Sequence, residues 1–190
     1  MPLAICFGVH SSPTGLAGLA IRTVTEARCQ SPWVLGPSHP ATHAYVTWTH
    51  GDGIHYRVDA QPHGARISVW PGPWEFPLPG TPPAAHWQFI GPDEDVKRAI
   101  SKAVSSVGAP YDFIEIAAQA IPGPLGALVG TSEGVQGAVI CTHLTADVIC
   151  ELGAPAKILV AGLLDRVPER LARRLEQVAT GGAGWLVRVP

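Results

Sequence analysis

His43-Ala44-Tyr45-Val46-Thr47-Trp48-Thr49, then His50-Gly51-Asp52-Gly53, then Ile54-His55-Tyr56-Arg57-Val58-Asp59-Ala60-Gln61 is the stretch that decides the fold. β-Branched and aromatic residues crowd both flanks, and two glycines bracket an aspartate between them, the pattern of an antiparallel hairpin. Loop length then fixes which side chains share a face. If Gly51-Asp52-Gly53 is a three-residue loop, His50 pairs with Ile54, Tyr45 faces Asp59 and His43 faces Gln61. His43, Tyr45, Asp59 and Gln61 then lie on one side of the sheet, with Asp59 diagonal to His43 and within reach of an imidazole nitrogen. A two-residue loop would turn the second strand over and break the pairing. The plainer alternative is that Asp59 and Gln61 form a solvated strand end, since one face of such sheets is often wet.

Working outward, Pro62-His63-Gly64 marks another turn and residues 65–70 a third strand, completing a meander. Residues 3–8 read as a buried first strand, and 86–90 and 185–189 as further strands. Helical spacing is found over 13–27, over 93–107 with Gly108 as its stop, and over 168–179 with Pro168 in its first turn. Tyr111-Asp112-Phe113 opens another helix, where Asp112 and Glu115 resemble a capping box. Capping is the commoner use of an aspartate at such a position, and catalysis the alternative. Residues 157–160 are expected as a short strand. Residues 29–40, 71–83 and 121–137, rich in proline or glycine, are expected as irregular connections. The expectation is an α+β chain, an antiparallel sheet packed against helices, forming one domain over residues 1–190.

Composition narrows the function. The chain has 190 residues, enough for a sizeable core, and a formal net charge of −2, which offers no electrostatic attraction to nucleic acid or an anionic membrane. The most apolar stretch, 113–130, is interrupted by Glu115, Pro122 and Pro124, so no integral membrane segment is expected. The N-terminus has neither the basic start nor the long apolar run of an export signal. A cytoplasmic location is the simplest expectation, with delivery by another secretion or phage machinery as an alternative. Cys6, Cys29, Cys141 and Cys150 are scattered without a CxxC pair, against a zinc ribbon or a disulfide scaffold. Eight histidines are present, but no pair of them has a firm ligand spacing, and no metal or other cofactor is expected. The tryptophans could line a groove, although core packing is the commoner use.

One cysteine stands apart. In the run from Val139 to Leu152, the residues Leu144, Val148, Ile149 and Leu152 recur at helical spacing, and Gly153 and Pro155 end the helix. Cys141 therefore sits at a helix start, where unpaired N–H groups and the positive end of the dipole favour a thiolate. The bland alternative is an inert buried thiol. His143, two residues on, points to a different side of the helix and cannot serve as its base. His43 can, if Asp59 orients it.

The order of these motifs resembles a known family. A strand opening with His43-Ala44-Tyr45-Val46 precedes a strand carrying Val58-Asp59-Ala60. Gly108-Ala109-Pro110-Tyr111-Asp112-Phe113 comes next, then Cys141-Thr142-x-Leu144 opening a helix. This order is similar to that of the circularly permuted, NlpC-type branch of the papain-like cysteine hydrolases, in which the histidine comes before the cysteine. Ala20-Ile21-Arg22 and Val167-Pro168-Glu169-Arg170-Leu171 look like that family's flanks, so the resemblance covers about residues 3–175. It implies a papain-like fold with Cys141 as nucleophile, His43 as general base and Asp59 as the residue orienting the histidine. Tyr111 matches the tyrosine that lines the site near the oxyanion hole. It also implies an amide or ester substrate: a peptidoglycan peptide, another peptide or isopeptide, or a lipid ester, with acyl transfer as a variant. The family's usual Cys-Ser-Glu start is here Cys141-Thr142-His143. The alternative is a non-catalytic binding or structural module that keeps the fold.

Overall fold

The computed structural model describes residues 4–11, 15–29, 32–70, 84–113, 116, 139–161 and 167–189. In chain order the elements are β1 (Ala4–His10), α1 (Gly15–Arg28), β2 (His43–Thr49), β3 (His55–Gln61), β4 (Gly64–Trp70), β5 (Ala84–Phe89) and α2 (Asp93–Ser105). They continue with α3 (Cys141–Cys150), α4 (Ala154–Ala161), α5 (Pro168–Thr180) and β6 (Leu186–Val189). All strands join one six-stranded antiparallel sheet in the order β4-β3-β2-β1-β5-β6. The chain is thus α+β, as its patterning predicts.

Strand alternation gives the sheet two unlike faces. Ile5, Phe7 and Val9 of β1, Ala44, Val46 and Trp48 of β2, Val58 and Ala60 of β3, and Ala85, Trp87 and Phe89 of β5 point one way. They form one core with Val96, Ala99 and Ala103 of α2, Leu144, Val148 and Ile149 of α3, and Leu171 and Leu175 of α5. The other face carries Cys6, Gly8 and His10, then His43, Tyr45 and Thr47, then Arg57, Asp59 and Gln61, and His86. Most of these are buried, not wet: Tyr45, Thr47, Arg57, Asp59 and His86 all lie at or below 9 % exposure. Among them Tyr45 lies across the backbone of Gly8. A Cβ at Gly8 would sit 2.2 Å from the ring, so only glycine permits the approach. The Tyr45 hydroxyl reaches His86 Nε2 at 2.7 Å, and the Arg57 guanidinium stacks 4.1 Å from the ring centroid.

The hairpin has the three-residue loop that the register requires. His50 N–H donates to Ile54 O at 2.8 Å and Gly53 N–H to His50 O at 2.9 Å, with Gly53 at φ 83° and Ile54 N–H donating to Asp52 Oδ1 at 2.9 Å. The ladder runs from Thr49 opposite His55 to Val46 opposite Val58. The next turn is tighter than expected. Gln61 pairs with Gly64, leaving Pro62 and His63 as its two central residues.

Residues 157–160 are a correction: they belong to helix α4, not to a strand. Pro155 sits in the first turn, and burial of Ala156 and Leu159 at a spacing of three leaves Ile158 77 % exposed. A four-residue apolar run cannot separate the two periods by itself.

At the start of α5, Glu169 is wholly buried. Its carboxylate accepts the N–H of Val34 at 3.0 Å and of Ala41 at 2.9 Å, with Arg173 Nε donating at 3.1 Å. Thr42 N–H donates to His10 O at 3.0 Å. The irregular approach to His43 is therefore fastened at several points, which sets where β2 begins. Replacing Glu169 by alanine strands one buried and one half-buried N–H group and should lower unfolding free energy by about 3 kcal/mol in urea titration. Glu169→Gln, which keeps one acceptor oxygen, should lose less. Gly8→Ala, forcing the Tyr45 ring aside, should cost about 1–3 kcal/mol by the same measurement.

Candidate active site

Cys141 is the first residue of α3. Before it, Ile140 has extended backbone (φ −105°, ψ 161°) and provides no side-chain cap, so the helix start faces the thiol with its own N–H groups. Cys141 is 1 % exposed. Its Sγ lies 3.8 Å from Thr142 Oγ1 and also accepts the backbone N–H of Ala44. Packing of α3 on the apolar face brings Cys141 to the end of β2 where His43 stands, and the charge of each group acts on the other.

His43 is held from its far side. Its Nε2 is 2.8 Å from Asp59 Oδ2, which leaves the other ring nitrogen, Nδ1, for Cys141. Oδ2 of Asp59 also accepts Arg57 Nη2 at 2.7 Å and Gln61 Nε2 at 3.1 Å. Three donors therefore converge on one buried carboxylate oxygen. The geometry chooses Asp59 as the partner of His43, and Gln61 acts on Asp59 instead.

The electrostatics follow from these contacts. Burial alone would raise the Cys141 thiol. The charge and hydrogen bond of His43, the Ala44 N–H and the Thr142 hydroxyl more than offset it and bring the thiol below its ordinary value. Burial would likewise discharge His43. The Cys141 thiolate and the Asp59 carboxylate, through charge and hydrogen bond alike, raise it to about 9. Asp59 is also opposed by burial, yet the His43 hydrogen bond and the Arg57 charge hold it well below the usual carboxylate range. By contrast, burial pushes the Cys6 and Cys29 thiols up. None of the four cysteines is in a disulfide. A thiolate–imidazolium pair steadied by a carboxylate can attack an electrophilic carbon and return a proton to a leaving group.

Tyr111 comes to the same end of the molecule. It forms a parallel bridge with Val139, through Asp112 N–H to Val139 O at 3.1 Å and Val139 N–H to Pro110 O at 2.8 Å, two residues before Cys141. Its ring packs edge-on to Phe113 at 5.0 Å, and Phe113 is 54 % exposed. Upstream, Ala65 N–H donates to Ala109 O at 2.8 Å, so this segment is anchored to the sheet near Gly64. Asp112 is buried and Phe113 is helical, while Glu115, the other half of the expected capping box, lies outside the described residues.

Two histidines not among the expected site residues, His10 and His86, are on β1 and β5. Both face the site side of the sheet, because Gly8 stands between Tyr45 and His86 in the register and His10 pairs with His43. Arg57 was also missed, although its two-residue spacing from Asp59 places it on the same face. Among the described residues, no group of three or more His, Cys, Asp or Glu side chains is placed to hold a metal ion, and no helix is long and apolar enough to cross a membrane. Comparison with protein-family models, with curated proteins and with solved structures finds no match to the chain.

Histidine titration by NMR checks the network. His43 should stay protonated to about pH 9. Its midpoint should fall in both Asp59→Asn and Cys141→Ala, since each partner favours the charged ring; an unmoved midpoint in both would contradict the geometry. The signs for stability follow. The raised His43 contributes fully below its unfolded value of 6.5 and loses that contribution as pH climbs through about 9. The depressed Asp59 contributes above its unfolded value of 3.8 and loses it as pH falls through the lower folded value.

Proposed function

We propose that this chain is a cysteine hydrolase of the papain-like, circularly permuted NlpC type, cleaving an amide or ester bond through an acyl-enzyme. The observation that carries this reading is the His43 ring, bonded through Nε2 to Asp59 at 2.8 Å, with its charge lowering the thiol of Cys141 at a helix start. Support also comes from the motif order, histidine before cysteine, and from the sheet packed on the helix that bears the thiol.

In this reading the Cys141 thiolate attacks the carbonyl carbon, forming a C–S bond and an oxyanion. The Cys141 backbone N–H and Tyr111 stabilise that oxyanion. Collapse expels the amine or alcohol, which takes the proton held by His43. Water then attacks the thioester with His43 as base, releasing the acid and restoring the thiol. Asp59 holds the imidazole in the tautomer that faces Cys141. The substrate is a peptide, a peptidoglycan peptide or a lipid ester, and an acceptor other than water would make the same step an acyl transfer.

The rival is a non-catalytic module that keeps this framework. It draws on the burial of Cys141, because a substrate must reach a sulfur that is 1 % exposed. One experiment separates the two: a p-nitrophenyl ester assay combined with labelling by an electrophilic acyl probe. Wild type should show a burst and label at Cys141. Cys141→Ala should lose both, and His43→Ala should slow acylation by about 10²–10⁴-fold. Asp59→Ala should reduce turnover while Cys141 remains labelled. A wild-type protein that labels Cys141 no faster than Cys29 would establish the module instead.

A further inference from the structure

His10 stands on the opposite flank of the candidate base from the acid. In the sheet it is the cross-strand partner of His43, and the two rings are 5.0 Å apart at 52°. Its ring is also 5.7 Å from that of Tyr45. The backbone here is fixed, because His10 O accepts Thr42 N–H just before His43. His10 Nδ1 is buried and has no hydrogen-bond partner among the described residues, while the residue as a whole is only partly buried. So one nitrogen is sealed in, and the ring lies beside that of His43.

That asymmetry selects the tautomer. A proton on Nδ1 would be a buried donor without an acceptor, an unfavourable arrangement. It would also lie among cations, since His43 on β2 and Arg57 on β3 both face this ring, with Asp59 as the opposing charge and His86 on β5 as a further neighbour. A lone pair is the stable occupant of Nδ1, and the proton sits on Nε2. Burial first, then His43 and Arg57, push the ring's pKa far down, so that it stays neutral over the working range. A neutral imidazole that carries an N–H beside the nucleophile–base pair can donate to developing charge without competing for the proton.

We propose that His10 is a further catalytic residue of the Cys141 site, a neutral imidazole donating from Nε2–H to the carbonyl oxygen of the substrate as the C–S bond forms. This rests on the hydrolase reading above. No proton changes hands at His10; the hydrogen bond strengthens as the oxygen gains charge and relaxes when the carbonyl re-forms.

The test has two arms, both on the full chain. In the first, long-range ¹⁵N–¹H NMR of ¹⁵N-histidine-labelled protein should find His10 as the Nε2–H tautomer throughout pH 5–9. Titration within that range, or a proton on Nδ1, overturns the proposal. In the second, p-nitrophenyl acetate hydrolysis is compared with iodoacetamide alkylation of Cys141, a reaction that forms no oxyanion, in wild type, His10→Phe and His10→Gln. His10→Phe should slow the acyl step by about 10–10²-fold, in line with loss of one oxyanion donor, and leave alkylation within about twofold. His10→Gln, which keeps an N–H, should restore most of the acyl rate and guards against a folding defect in the phenylalanine variant. If both rates fall together in both variants, His10 only supports the thiolate–imidazolium pair; if neither falls, it does nothing here. Either result rejects the proposal. Failure of the hydrolase reading looks different, as wild-type ester hydrolysis that is absent or survives Cys141→Ala.

Discussion

Everything in the site hangs on one carboxylate oxygen. Asp59 Oδ2 takes hydrogen bonds from His43, Arg57 and Gln61 at 2.8, 2.7 and 3.1 Å while the residue is 2 % exposed. A lone buried carboxylate is costly, and a buried pair is stable only when its remaining hydrogen-bonding capacity is filled. Here the charges balance in sequence across the sheet end. Arg57 opposes the charge of Asp59, and the charge of His43 favours the thiolate form of Cys141. Removing any one leaves a charge of the opposite sign stranded. That interdependence lets His43 keep its proton against burial.

The register of one hairpin makes the arrangement possible. With Gly51-Asp52-Gly53 as the loop, Val46 meets Val58, and continuing the same register sets Tyr45 against Asp59 and His43 against Gln61. A slip of one residue would send Asp59 to the apolar face and Val58 to the polar one. The same register hands Arg57 to Tyr45 as a stacking partner, and Tyr45 to the gap above Gly8, where its hydroxyl reaches His86. Cross-strand bonds from His43 to Asp59 and from Tyr45 to His86 tie this face together, and Glu169 fastens the approach to His43 by accepting from Val34 and Ala41.

The local parts of this were legible in the sequence. Glycines flanking Asp52 marked the turn but left its length open, and alternation gave the shared face of His43, Tyr45, Asp59 and Gln61 on the condition that three residues form the loop. Helical periodicity found α2, α3 and α5 because each buries a continuous stripe. What escaped depends on distance in the chain. Nothing between residues 43 and 141 announces that the two meet; that follows from α3 packing against β2. His10 and His86 were not singled out for the site, since a buried polar face breaks the expected contrast between an apolar and a wet side. Arg57 was passed over for the same reason, as a charged strand residue ordinarily points to water. Residues 157–160 failed differently, on a run too short to reveal its period.

The start of α3 shows a local rule broken in a way that fits the proposed chemistry. Helices favour Ser, Thr, Asp or Asn at the N-cap, and an apolar residue there forgoes roughly 1 kcal/mol. This helix has Ile140 and no side-chain cap. An aspartate at 140 would engage the first N–H groups and place a negative charge beside Cys141, opposing the thiolate. A serine would occupy the same donors without the charge. With isoleucine, the first N–H groups receive no side-chain acceptor from the cap position. Val139 N–H and O are meanwhile used by Pro110 O and Asp112 N–H, which orients the approach to Cys141 through the backbone and not through a cap. The helix thereby gives up a stabilising contact at the one residue where keeping it would quench the thiolate, and the Tyr111 bridge takes over the task of fixing its position.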